Sequence, residues 1–93
     1  MFNVNQYFEG NVMSMAFENE EGKATVGIMA PGEYEFGTST IELMTVISGE
    51  MTVLLPGESE WKTYQPFETF RVEKDAKFKL VIKEDCAYKC LYK

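Results

Sequence analysis

The chain has 93 residues, of which 45% are hydrophobic and 14% aromatic, a composition that supports one compact domain and excludes a disordered chain. Fifteen acidic residues outnumber nine basic ones, and the net charge of −6 repels phosphate backbones and anionic lipid surfaces. We therefore expect neither a nucleic-acid partner nor a membrane partner.

The first half of the chain predicts short strands. Apolar residues recur at every second position, and turn residues interrupt them at short intervals. This pattern predicts strands at residues 12–17, 24–29 and 33–37. The polar run 18–22 separates the first two strands, and Pro31 with Gly32 ends the second because these residues favour a tight turn.

The second half continues the same pattern. The strongest hairpin signal joins residues 41–48 to residues 51–55, because two β-branched runs flank Ser48-Gly49-Glu50. Further strands are predicted at residues 61–64, 67–72, 78–82 and 87–92. Many short strands without a helix are typical of a sandwich or barrel, so we predict one all-β domain of jelly-roll type over residues 1–93.

Two features indicate the compartment. The first residues lack the charged and apolar regions of a secretion signal, and no apolar run approaches the ~18 residues of a membrane-spanning helix. Cys86 and Cys90 would lie about 13 Å apart on one strand at ~3.3 Å per residue, which is beyond disulfide reach. We expect a cytosolic (cytoplasmic) protein with two free thiols.

Residues 36–49 have the spacing of the first cupin metal motif, His-x-His-x3-Glu-x6-Gly. The chain resembles a cupin at Glu42 and Gly49, but Phe36 and Thr38 stand at the two histidine positions, and the chain contains no histidine. In the second cupin motif, Pro-x-Gly-x2-His, Phe78 stands at the histidine position. One carboxylate with a hydroxyl is too poor a ligand set for zinc or iron. We therefore predict a cupin jelly-roll barrel without a metal.

The same residues predict an aromatic pocket. Alternation along residues 41–48 places Glu42 and Met44 on the inner face, beside Phe36 and Thr38. The opposing strands add apolar side chains: Phe70, Val72, Phe78 and Leu80. Such a pocket suits a planar organic ligand, and Tyr34 is a candidate for its mouth.

Glu42 in that pocket has two interpretations. Burial would raise its pKa, which would let the carboxyl protonate a leaving group near neutral pH. Alternatively, Glu42 is a structural residue hydrogen-bonded to backbone or hydroxyl groups, and Phe36 and Phe78 belong to the core.

Three segments carry a family resemblance: residues 7–12 (Tyr-Phe-x-Gly-x-Val), residues 42–49 (Glu-x-Met-Thr-Val-Ile-Ser-Gly) and residues 88–92 (Tyr-x-Cys-x-Tyr). Together they resemble the pyrimidine/purine nucleoside phosphorylases, a family of small bacterial cupins. The resemblance covers nearly the whole chain, and residues 42–49 are its most specific part.

The resemblance implies a cytosolic enzyme that cleaves purine and pyrimidine ribonucleosides to free base and ribose 1-phosphate. Orthophosphate is the co-substrate, with no cofactor or metal, and the enzyme is a homodimer. In this reading Glu42 protonates the base or, when ionised, binds the ribose hydroxyls. The substrate-binding residues would be Phe36 and Phe78 for stacking, Thr38 and Ser39 as donors, and Met44 and Tyr34.

Two other functions remain open at this point. A non-catalytic, metal-free cupin could bind a small sugar or nucleoside as a sensor or carrier. A dimerisation module could have an interior filled by its own aromatic side chains.

Overall fold

The computed structural model describes residues 2–93, which form ten strands and one short 3-10 helix, Phe8–Gly10. The strands are β1 Val4–Tyr7, β2 Val12–Asn19, β3 Gly22–Met29, β4 Gly32–Gly37, β5 Glu42–Ser48, β6 Met51–Leu54, β7 Lys62–Tyr64, β8 Thr69–Val72, β9 Lys77–Ile82 and β10 Cys86–Tyr92. All nine predicted strands are present with small shifts of their ends, and the all-β fold is confirmed. No helix among residues 2–93 is long and apolar enough to cross a membrane.

The strands form two antiparallel sheets that face each other. One sheet has the order β1-β2-β3-β10-β5-β8, and the other has the order β4-β9-β6-β7. Buried side chains from both sheets make one core, with Val46 and Cys86 from the first and Val53 and Leu80 from the second. The jelly-roll fold is thus built from two facing sheets rather than from one closed ladder of strands.

The hairpin predicted between residues 41–48 and 51–55 is wrong. Both strands form, but β5 pairs with β10 and β8, whereas β6 pairs with β9 and β7 in the other sheet. Gly49 turns the chain between the sheets with a φ of 83°. A Cβ atom at this position would lie 2.8 Å from the carbonyl oxygen of Asp85, so the corner is packed tightly against the start of β10.

Strand β1 and the short helix were not predicted. β1 pairs with β2, yet most of its side chains are exposed, so no alternating apolar pattern marks it in the sequence. Phe8 and Glu9 then both adopt left-handed backbone angles, with φ values of 53° and 60°. This turn carries Phe8 onto the rings of Tyr34 and Phe36, with centroid distances of 5.0 and 5.4 Å.

Candidate active site

A cavity of about 180 Å³ lies between the two sheets. Its lining combines one carboxyl group, one thiol, several hydroxyl groups and apolar side chains. The residues are Tyr7, Ser14, Met29, Phe36, Gly37, Glu42, Met44, Phe78, Tyr88, Cys90 and Tyr92. Of the residues predicted from the sequence, the cavity therefore brings together Glu42, Met44, Phe36 and Phe78.

Strand pairing places the polar side of this cavity. In the β5–β10 ladder Met44 pairs with Cys90, and Glu42 pairs with Tyr92. Because side chains alternate along a strand, Glu42 and Met44 point to the same face as Cys90 and Tyr92. Two neighbouring strands thus supply a carboxyl, a thiol and a phenol to one wall of the cavity.

Glu42 is half-buried, and its only side-chain partner among residues 2–93 is a thiol. The Sγ–H of Cys90 donates to Oε1 of Glu42 at 3.4 Å. Burial raises the pKa of Glu42 above its usual value, and the hydrogen bond from Cys90 partly offsets that increase. The predicted direction of the pKa shift is confirmed, and the carboxyl can hold a proton closer to neutral pH than an exposed glutamate can.

Two rings form the opposite, apolar wall. Phe36 and Phe78 pair in the β4–β9 ladder, and their ring centroids lie 5.9 Å apart at an interplanar angle of 31°. Phe78 is fully buried and packs edge-on against Phe70, whereas Phe36 is only half-buried. The pair is anchored in the core on one side and open to the cavity on the other.

Three predicted site residues lie outside the cavity lining. Tyr34 is buried, and its hydroxyl donates to the carbonyl oxygen of Ala30 at 2.6 Å. The hydroxyl of Thr38 donates to the carbonyl oxygen of Glu73 at 2.6 Å, and it accepts from the backbone N–H of Ala76 at 3.1 Å. Ser39 is exposed next to Thr38. Substrate contacts by these three residues stay predictions.

The sequence reasoning missed several lining residues. Tyr88 and Tyr92 entered the sequence analysis only through the segment Tyr-x-Cys-x-Tyr, although their spacing with Cys90 places all three on one face of β10. The hydroxyl of Tyr88 lies beside Gly27, which pairs with Ser14 across β2 and β3. A Cβ atom on that glycine would be 2.9 Å from the Tyr88 oxygen, so the absent side chain makes room for the phenol.

The donor set does not fit a metal ion. Within the described residues, no three histidine, cysteine or acidic side chains come together. The positions that hold imidazoles in a metal cupin carry Phe36, Thr38 and Phe78, and the hydroxyl of Thr38 is already bonded to backbone groups. Burial raises the pKa of the Cys90 thiol, which keeps it protonated and a poor metal ligand.

The cavity contains no cationic side chain among residues 2–93. Its ionisable groups are Glu42, Cys90 and three tyrosines. Burial raises the pKa of Tyr88 to about 12 and also raises that of Tyr92, so both phenols are neutral donors at physiological pH. The arrangement is suited to a flat ligand that needs one acidic proton and several neutral hydrogen-bond donors.

Comparison with known proteins supplies the family. A family model described as pyrimidine/purine nucleoside phosphorylase matches residues 2–92. A protein of that name from Pseudoalteromonas atlantica is 59% identical over 92 residues, which cover 99% of each chain. Another from Pseudomonas putida is 56% identical over 93 residues, covering 100% of this chain and 99% of the relative.

Solved structures agree with the fold. A Vibrio parahaemolyticus protein of unknown function has a TM-score of 0.91 at 44% identity, covering 97% of this chain and 96% of that chain. An RmlC-like cupin from Shewanella frigidimarina has a TM-score of 0.73 at 13% identity, covering 97% of this chain and 81% of that chain. The second likeness shows the cupin fold alone.

Proposed function

Because the chain belongs to the pyrimidine/purine nucleoside phosphorylase family, we propose that it cleaves purine and pyrimidine ribonucleosides with orthophosphate. The products are the free base and ribose 1-phosphate, which makes the enzyme a pentosyltransferase of broad specificity. The observation that carries the chemical role is Glu42, a half-buried carboxyl with a raised pKa on the wall of an aromatic cavity.

The reaction needs a proton at the leaving base. As the C1′–N bond breaks, its electron pair goes to the base nitrogen, and positive charge develops on the ribose ring. An oxygen of orthophosphate forms the new bond to C1′. Protonated Glu42 gives its proton to the base, and the ionised Glu42 is protonated again by the proton that orthophosphate loses on forming the ester.

The size of the cavity suggests how a nucleoside binds. Its volume of about 180 Å³ is smaller than the roughly 300–1,000 Å³ of most ligand sites. We infer that the base enters between Phe36 and the β10 wall while the ribose stays at the mouth, near Tyr7, which is 47% exposed. Stacking on Phe36 does not depend on the hydrogen-bonding edge of the base, so purines and pyrimidines are both accepted.

The test is a base-release assay with uridine, cytidine, inosine and guanosine, each with and without orthophosphate. We expect release only when orthophosphate is present, and a loss of roughly 100-fold or more in kcat for Glu42→Gln, since general acid catalysis typically contributes about 10²–10⁴-fold. Glu35→Gln is the matched control, because Glu35 is exposed on β4 and should leave the rate unchanged. Nucleoside binding without turnover, or turnover that does not need phosphate, would contradict the proposal.

Orthophosphate is the only co-reactant that the proposed chemistry requires. General acid catalysis and displacement at C1′ need neither a metal nor an organic cofactor. We also propose a cytoplasmic location. This proposal is supported by Cys86 and Cys90, which are both free and buried, since extracellular proteins of this size commonly use disulfides.

We further propose that the enzyme is a homodimer that forms through the outside of its larger sheet. The outer apolar face, as we name it, consists of six exposed side chains on β1, β2, β3 and β5: Val4, Met13, Met15, Val26, Ile28 and Ile47. The outer face of an antiparallel sheet is usually polar, and an apolar one marks a contact surface. A groove of about 600 Å³ runs along it.

A second copy of the chain is the partner that this face fits. Two chains that each carry a net charge of −6 repel one another. The six side chains are uncharged, and Asp85 is the only charged residue of the described chain that lines the groove. A two-fold contact places this face against itself, so the apolar surface is covered and the charged surfaces stay apart.

Light scattering coupled to size exclusion tests the dimer. We expect twice the chain mass of 10.7 kDa for the wild type, and a monomer for Ile28→Glu, which buries a charge in the contact. Phe67 is 80% exposed but lies outside the face, so Phe67→Glu should remain dimeric. A monomeric wild type, or a dimeric Ile28→Glu variant, would refute this interface.

A further inference from the structure

Glu42 lies at the end of a row of polar side chains that crosses three strands and contains two hydrogen bonds. Oγ1 of Thr25 on β3 lies 3.0 Å from Oη of Tyr92 on β10. Tyr92 and Cys90 both line the cavity from β10, and Cys90 Sγ–H donates to Oε1 of Glu42 on β5. The contacts join residues 67 and 48 positions apart in the chain, so they exist only in the folded protein.

The direction of the bond to Glu42 follows from its acceptor. The ionised or carbonyl oxygen of Glu42 can only accept, so the single proton of the Cys90 thiol is directed at Oε1. The sulfur has no further proton to donate to another group. Thr25 and Tyr92 are hydrogen-bonded to each other on the neighbouring strands, and the row ends on a single carboxyl oxygen, Oε1.

We propose that Cys90 is a positioning residue for the reaction: its thiol occupies Oε1 of Glu42, so the acidic proton resides on Oε2 and the carboxyl keeps one orientation. Tyr92, which is hydrogen-bonded to Thr25, lines the cavity beside this pair. This proposal rests on the proposed function, because it assigns Cys90 a part in the acid step of Glu42.

A thiol suits this role better than a stronger donor does. A hydroxyl donates more strongly, and it would stabilise the ionised carboxyl and lower the pKa of Glu42. An aliphatic side chain would leave Oε1 without a partner and let the carboxyl rotate. Cys90 is buried and stays protonated, so it orients Glu42 while leaving it a usable acid.

No charged group among residues 2–93 competes with Cys90 for Glu42 within the cavity. The titratable groups that share it are Tyr88, Cys90 and Tyr92 on β10 and Tyr7 on β1. The neighbouring strands β8, β4 and β9 face Glu42 with Val72, Phe36 and Phe78, which do not titrate. A change at Cys90 should therefore be seen directly in the titration of Glu42.

The first test compares pH profiles of kcat/KM for inosine cleavage. For an acid, the rate falls as the pH rises through the pKa of Glu42. Cys90→Ser should move this falling limb to lower pH, and Cys90→Ala should move it to higher pH. Cys90→Ala should also lower the plateau of kcat roughly 10- to 100-fold, since the carboxyl is no longer oriented.

Cys86→Ala is the matched control. Cys86 is buried on the same strand, but it does not line the cavity. It should change the melting temperature without moving the limb. Limbs that stay in place in both Cys90 variants, or that move in the same direction in both, would overturn the positioning role.

A second measurement does not depend on activity. The carboxyl carbon of Glu42, identified by its absence in Glu42→Gln, is followed by ¹³C NMR as the pH changes. Tyr92→Phe should raise the titration midpoint, in the same direction as Cys90→Ala but by less. It removes only a hydroxyl and leaves the core unchanged, so it still tests the proposal if a Cys90 variant fails to fold. An unchanged midpoint in Tyr92→Phe and both folded Cys90 variants would also overturn the role.

The two measurements separate the two proposals. If the Glu42 midpoint shifts as expected but no nucleoside releases its base, the proposed function fails and the role of Cys90 in it fails as well. If base release occurs and the limb does not respond to Cys90, only the positioning role is refuted. Both proposals would be supported if base release needs phosphate, and if Cys90→Ser and Cys90→Ala move the limb and the Glu42 midpoint in opposite directions.

Discussion

Gly49 at the corner between the sheets should tolerate no side chain, and Gly49→Ala tests this. A left-handed φ, here 83°, costs an alanine roughly 1–2 kcal/mol. The new Cβ atom would lie 2.8 Å from the Asp85 carbonyl oxygen and 3.2 Å from the Cys86 Cα. Both are backbone atoms that cannot rotate away, and such overpacking adds about 1–3 kcal/mol.

The expected loss is therefore about 2–5 kcal/mol, out of roughly 5–15 kcal/mol for a whole domain. Because 1 kcal/mol shifts the melting temperature of a 60–100-residue domain by about 4–8 °C, Gly49→Ala should melt roughly 10–40 °C lower. The free energy of unfolding is measured by urea titration and the melting temperature by circular dichroism, at a fixed protein concentration because the proposed dimer makes both depend on it.

Gly57 provides the control. Its φ is 76°, close to that of Gly49, but no heavy atom lies within 4 Å of the Cβ position. Gly57→Ala should therefore lose only the backbone contribution, about 1–2 kcal/mol. Equal losses in the two variants would show that the contact with the start of β10 does not constrain Gly49.

Three further predictions concern Glu42, Thr38 and the two cysteines. Burial raises the pKa of Glu42 in the folded chain, so the stability that the protonated carboxyl contributes is present below the unfolded pKa and is lost as the pH rises through the folded pKa. Glu42→Gln should therefore melt at a higher temperature than the wild type near pH 8, and the difference in melting temperature should close near pH 3. Thr38→Val should lose about 1–2 kcal/mol of stability, because the hydroxyl of Thr38 joins two backbone groups of the β8–β9 loop. An unchanged KM for phosphate in this variant would exclude a contact between Thr38 and the substrate. Burial raises the pKa of Cys86 to about 11 and that of Cys90 further, so iodoacetamide at pH 8 should modify the folded chain far more slowly than the urea-unfolded chain; equal rates would contradict this.

Local alternation predicted one wall of the cavity. The pattern of residues 41–48 placed Glu42 and Met44 inward, and the structure has Met44 buried and Glu42 on the cavity wall. The cupin frame also led to Phe36 and Phe78, which are paired across β4 and β9. These predictions needed only the two-residue period of a strand and the spacing within the two cupin motifs.

The other wall depends on pairing that no local pattern specifies. β10 lies between β3 and β5, so Cys90 reaches Glu42 across 48 residues of sequence. The same limitation explains the wrong hairpin, because Ser48-Gly49-Glu50 reads as a turn within a sheet although it joins two sheets. Tyr7 was missed because β1 becomes a strand through its pairing with β2, not through its own apolar pattern.

The absence of cationic side chains from the cavity lining within residues 2–93 gives the raised pKa of Glu42 a second consequence. An ionised Glu42 would repel orthophosphate, which is a mixture of mono- and dianion at neutral pH, and no lysine or arginine is present there to offset the repulsion. A protonated Glu42 removes it. By reciprocal linkage, phosphate bound nearby raises the pKa of Glu42 further, so each favours the presence of the other. The burial that makes Glu42 costly for stability at neutral pH would therefore both prepare the acid and admit the anion, which is how a cupin without imidazoles could perform this displacement with one carboxyl group.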